Sequence, residues 1–133
     1  MKTKKSVIIV EDDSIIRELL VKAIKSLDYF DFTVTAQDGL EAYFKLEKQD
    51  FDLVIMDLNL PKKNGLDLVS KLLIEKPFMS SKIMILSGEV EQNSLNRLVT
   101  MGVTNFVVKP LKLEDFLTKV KKTIKKSKTC LNK

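Results

Sequence analysis

The chain has 133 residues, enough for one domain with a real core, and 44% hydrophobic against 31% charged residues fits an ordinary globular protein. Its formal charge of +5 sits at one end: residues 121–133, KKTIKKSKTCLNK, hold 6 lysines and no acid, leaving 17 basic against 18 acidic residues, or −1, for the rest. The absence of histidine excludes histidine-based catalysis and the commonest zinc ligand, and the single cysteine, Cys130, excludes an internal disulfide.

In chain order, the basic start MKTKKSVIIVEDD has an apolar run of only Val7 to Val10, too short for a secretory signal core. No later run approaches the ~20 residues of a membrane span, so a cytoplasmic protein without membrane contact is expected. SVIIV (Ser6–Val10) reads as the first strand. SIIRELLVKAIKSL follows with Ile16, Leu19, Leu20, Ala23, Ile24 and Leu27 on one helical face, Asp13 or Ser14 as cap and Glu18 in the first turns. FTVTA (Phe32–Ala36) is the second strand and DGLEAYFKLEK (Asp38–Lys48) the second helix. LVIM (Leu53–Met56) and GLDLVSKLLIEK (Gly65–Lys76) form the third pair, and KIMIL (Lys82–Leu86) is the fourth strand. EQNSLNRLVTM (Glu91–Met101) is the fourth helix, closed by Gly102. NFVVK (Asn105–Lys109) is the fifth strand, and LEDFLTKVKKTIKK the fifth helix, with Leu113, Phe116, Leu117, Val120 and Ile124 inward.

Five βα units predict an α/β fold with a parallel sheet covered on both faces. The runs at 7–10, 53–56 and 83–86 are almost wholly apolar, as doubly covered strands must be. Residues 1–126 are expected to form the domain and 127–133 a basic tail, a solvated helix end whose lysines suit the helix dipole. No direct nucleic acid binding is expected. Val99, Met101 and Val103 fit either core or interface.

In such a sheet, sites lie beyond the carboxyl ends of the strands, where strand order reverses. Glu11, Asp12 and Asp13 follow the first strand, Asp57 the third, Ser87 and Gly88 the fourth, and Lys109 and Pro110 the fifth. In FDLVIMDLNLPKKNG the apolar run ends on Asp57 alone, and a buried carboxylate needs a partner or a proton. Carboxylates ~4 Å apart repel by about 4 kcal/mol at an effective dielectric of about 20. Such a cluster therefore binds a proton or a cation, and oxygen donors favour a hard cation such as Mg2+. With Lys109 and Ser87 added, the site suits a phosphoryl group, and Asp57 is placed to be the nucleophile that takes it.

VIIVEDD, VIMDLNLPKKNG, ILSGE and NFVVKP, in this order and spacing, resemble the receiver domain of two-component response regulators, over roughly Lys5 to Lys126. The resemblance implies a flavodoxin-like (βα)5 sheet of order 2-1-3-4-5. It implies that Asp57 is the phosphoacceptor, served by a sensor histidine kinase or a phosphotransfer protein. Mg2+ would be held by Glu11, Asp12, Asp57 and the Asn59 backbone carbonyl, while Asp13 caps the first helix. Lys109 would pair with the phosphoryl oxygens, before a cis bond to Pro110. Ser87 and Phe106 stand at the switch positions, which change the face of the fourth helix, fifth strand and fifth helix for an unknown downstream protein target. Asn59 and Glu89 stand where residues tune dephosphorylation, and chemotaxis-type receivers with this pair imply a short-lived acyl phosphate.

A stand-alone regulator, monomeric or weakly dimeric when phosphorylated, is expected to catalyse only its own phosphorylation and dephosphorylation. The alternative is a receiver fragment of a longer regulator with an output domain. A phosphatase of the haloacid dehalogenase type would need a second aspartate where Asn59 stands, and Asn59 cannot transfer that proton. A flavin-binding flavodoxin would need a hydroxyl- and glycine-rich phosphate loop where Glu11, Asp12 and Asp13 stand.

Overall fold

The computed structural model describes residues 5–60, 64–88 and 92–131. Its elements, in chain order, are β1 (Ser6–Val10), α1 (Ser14–Leu27), β2 (Phe32–Ala36), α2 (Gly39–Lys48), β3 (Leu53–Asp57), α3 (Gly65–Glu75), a 3-10 turn (Pro77–Lys82), β4 (Ile83–Ser87), α4 (Gln92–Thr100), β5 (Asn105–Val108) and α5 (Leu113–Leu131). The five strands are all parallel and lie in the order β2-β1-β3-β4-β5. No helix of the described residues is long and apolar enough to cross a membrane.

The apolar runs explain the layering. β1, β3 and β4 are buried along their whole length, because helices cover both faces of the sheet centre. On one face α2, α3 and α4 pack Ala42, Leu46, Leu68, Leu72 and Leu98 onto Ile8, Val54 and Ile85. On the other, α1 and α5 pack Leu20, Ile24, Phe116 and Val120 onto Ile9, Ile55 and Leu86. β2 and β5 are the edges, and their unpaired backbone groups would invite other strands. Each gives a carbonyl to a lysine of the helix that follows it: Thr35 to Lys45 Nζ at 2.6 Å, and Phe106 to Lys119 Nζ.

β3 and β4 each run one residue beyond their apolar stretch, to Asp57 and Ser87, because ladder hydrogen bonds join backbone groups and ignore side-chain polarity. α2 starts at Gly39, one residue later than the spacing predicts, with Asp38 outside as its cap. Two apolar positions differ from expectation. Leu19 is 44% exposed, since the buried stripe of α1 is the narrower Leu20, Ala23 and Ile24, flanked by Ile16 and Leu27. Leu113 is 38% exposed: as the first residue of α5 it precedes the turn that meets the sheet, and Leu111 before it packs on the core instead. Val103 is core, Met101 packs partly against it, and Val99 faces solvent. α5 continues to Leu131 with no break at residue 126.

One contact ties the fold to the end of β3. The Gly65 N–H donates to the Leu58 carbonyl at 3.1 Å. A Cβ on Gly65 would lie 2.7 Å from that oxygen and 2.9 Å from the Asp57 carbonyl oxygen, both backbone atoms that cannot swing away. Gly65→Ala is predicted to lower stability by about 1–3 kcal/mol in urea unfolding, as overpacking does. Ile15→Ala, at a side chain that is 78% exposed, should change it by less than about 0.5 kcal/mol.

Candidate functional site

Register brings the chemistry-bearing residues together. Val10 pairs with Met56, Asp57 with Leu86, and Ser87 with Val108. Glu11, Asp57, Ser87 and Lys109 therefore stand along one edge of the sheet, where β1 and β3 leave neighbouring positions for opposite flanks. Backbone bonds carry the ladder past the strand ends: Glu11 N–H to the Ala36 carbonyl at 3.0 Å, Leu58 N–H to Leu86 at 3.2 Å, and Lys109 N–H to Ser87 at 2.7 Å. The Lys109–Pro110 bond is cis.

Glu11 is 1% exposed and Asp57 3%, so both carboxyls have left water, while Asp12 remains exposed. Oxygens of Glu11, Asp12 and Asp57 all lie within 4.8 Å of one another. Asp57 is fully engaged. Its Oδ2 accepts from Lys109 Nζ and its Oδ1 from the Asn59 N–H at 3.0 Å. Glu11 is not: Oε2 accepts from the Asp13 N–H at 3.3 Å, whereas Oε1 has no hydrogen-bond partner among the described residues, with Lys109 Nζ 4.0 Å away. One lysine cannot neutralise both acids. Burial first, then the Asp57 carboxylate, push the Glu11 carboxyl up from its ordinary 4.5 to about 7, against the Asp13 N–H and Lys109.

A buried carboxylate oxygen without a partner is rare and costly. Together with three oxygen donors inside a few ångströms, it fits a hard divalent cation held by Glu11, Asp12 and Asp57. Asp13 stands apart from this cluster and caps α1, accepting from the Ile15 and Ile16 N–H groups at 2.9 and 3.2 Å.

The Ser87 hydroxyl is buried and has no hydrogen-bond partner among the described residues. Ile85 pairs with Phe106, so Ser87, two residues beyond Ile85, shares the sheet face against which the half-buried Phe106 ring packs. A Cβ built on Gly88 would meet nothing within 4 Å among the described residues. Glu89 lies outside the described residues. One site residue went unread in the sequence: Arg17, whose Nη1 donates to the carbonyls of Glu11 at 2.9 Å and Asp12 at 3.3 Å. A cation near the start of a helix opposes its dipole, and that was the available signal.

The raised Glu11 carboxyl sets a pH dependence. Between its ordinary value and about 7 the folded chain keeps a proton that the unfolded chain releases, so stability falls as pH rises through this window. In chelator, thermal unfolding should show a loss on the order of 3 kcal/mol between about pH 5 and about pH 8. Glu11→Gln should flatten that slope, and an unchanged slope would contradict the assignment.

The family model described as response regulator receiver domain matches residues 7–121. Chemotaxis protein CheY1 of Helicobacter pylori is 33% identical over 104 residues, covering 77% of this chain and 83% of that protein. The transcriptional regulatory protein KdpE of Staphylococcus aureus is 29% identical over 115 residues, 86% of this chain but 48% of that protein, so the chain spans about half its length. Among solved structures, a response regulator receiver protein from Pseudomonas putida has a TM-score of 0.80 at 29% identity, covering 92% of this chain and 99% of that one. A CheY-like receiver domain protein from Methanospirillum hungatei shares the fold, with a TM-score of 0.84 at 22% identity. The matched span takes in the acids, the hydroxyl and the lysine of the crevice, and the chain belongs to the response regulator receiver domains, the signalling modules of two-component systems.

Proposed function

We propose that this receiver is a phosphorylation-controlled switch in which Asp57 accepts a phosphoryl group from a sensor histidine kinase or a phosphotransfer protein. The observation that carries the reading is the Asp57 carboxylate, buried at the end of β3 with one oxygen on the Lys109 ammonium and the other on the Asn59 N–H. A carboxylate oxygen attacks phosphorus as the bond to the donor imidazole nitrogen breaks, which leaves an acyl phosphate on Asp57. Mg2+, held by Glu11, Asp12, Asp57 and the Asn59 carbonyl, would offset the charge that builds up on the carboxylates and phosphoryl oxygens. Lys109 pairs with those oxygens, and the Ser87 hydroxyl donates to one of them.

To donate, the Ser87 hydroxyl moves toward the phosphoryl group, which clears space on the face it shares with Phe106, and the ring turns inward to fill it. The surface of α4, β5 and α5 then differs between two states. Their populations shift by the difference in affinity for the modified site. An unidentified protein that reads this surface is the proposed output, with no nucleic acid contact by the domain itself and at most a weak, phosphorylation-linked dimer. The only chemistry proposed is the protein's own phosphorylation and dephosphorylation, tuned by Asn59 and Glu89.

Incubated with a small phosphodonor and Mg2+, wild type should gain one phosphoryl group by intact mass. Asp57→Asn should gain none, and neither should wild type in chelator. No gain on wild type sinks the reading. After removal of the donor the added mass should decay rapidly, and persistence for many hours would contradict the role given to Asn59 and Glu89.

A further inference from the structure

The turn from β1 to α1 carries two of the three acids and lies outside the regular ladder, so something else must hold it. Its backbone is tied at three places. The Glu11 N–H donates to the Ala36 carbonyl at 3.0 Å. The Asp13 carboxylate caps α1. Arg17 Nη1 reaches back from the start of α1 to the carbonyls of Glu11 and Asp12, at 2.9 and 3.3 Å. Both carbonyls precede the helix and have no partner within it. The guanidinium sits beside three acids, yet among the described residues it makes no ion pair with a carboxylate and serves backbone instead. Its position opposes the helix dipole, and among the described residues its hydrogen bonds are these two.

We infer that Arg17 is a positioning residue for the divalent-cation site: by fixing the carbonyls of Glu11 and Asp12 it fixes where their carboxylates point. The inference rests on reading the carboxylate crevice as a cation site. Loss of Arg17 has a definite sign of effect on cation binding. As a mere positive charge, Arg17 repels a cation, and removing it would tighten metal binding. As the clamp on the turn, it favours binding, and removing it weakens binding, by about tenfold as for other groups that orient metal ligands.

The test is calorimetric unfolding of the full chain, at mildly alkaline pH, as Mg2+ alone is titrated in. The rise in unfolding temperature gives the affinity by linkage. Arg17→Met, which keeps the stem and removes the donor, should unfold cooperatively in chelator and bind Mg2+ about tenfold more weakly than wild type. Lys22→Met removes an exposed charge from the same helix, and its affinity should stay within about twofold of wild type. Equal or tighter binding by Arg17→Met overturns the inference. If that variant does not unfold cooperatively, Arg17→Lys decides, because its ammonium is one bond shorter than the Nη1 that makes both bonds and falls short of the carbonyls. Weaker binding then supports the clamp and equal binding overturns it. Wild type that gains no stability from Mg2+ overturns both the clamp and the cation reading, whereas normal binding by wild type and variants alike overturns the clamp only.

Discussion

Two carboxyls, Glu11 and Asp57, leave water side by side at the end of the sheet with one lysine between them. That crowding organises the site. Lys109 commits to Asp57, which leaves Glu11 with a raised affinity for protons and an oxygen that accepts no hydrogen bond from the described residues. A proton relieves this at low pH and a divalent cation does so at higher pH. On the proposed reading, Asp57 is thereby prepared for a phosphoryl group at some expense in the stability of the unmodified protein, as functional sites commonly are.

Such a site needs a frame that does not relax away from it. Three central strands buried on both faces supply it, since a slip of one residue in any of them would exchange the side chains of the two packed faces and move Asp57 or Ser87 off the edge. Gly65 brings α3 against the end of β3, and the lysines on the β2 and β5 carbonyls discourage the sheet from growing sideways. The parts expected to move sit at the margin of this frame. Ser87 and Phe106 lie on one face of neighbouring strands, the second of them an edge strand.

Much of this was legible in the sequence because polar residues interrupt apolar runs at places where a strand must end. Asp57, Ser87 and Lys109 each follow such a run, and the strand order followed from the family resemblance that those residues carry. What stayed illegible depends on three-dimensional detail. Leu19 and Leu113 are apolar and roughly in phase, yet the buried stripe is set by where each helix meets the sheet. Glu41, which accepts from the Gln37 N–H at 2.7 Å and pairs with Lys45, reads as an ordinary surface acid until the helix start is seen. Arg17 binds backbone rather than a side chain, and spacing between residue types does not reveal a carbonyl as a partner.

Glu11 and Asp57 share one field and compete for one lysine. The most direct measurement is the titration of the Glu11 carboxyl carbon by NMR, in chelator and then with Mg2+. A shared field predicts a midpoint near the raised value of about 7 in chelator, a lower one in Asp57→Asn, and a fall toward the ordinary carboxylate range when Mg2+ is added. A midpoint near the ordinary 4.5 that neither Asp57→Asn nor Mg2+ moves would contradict it.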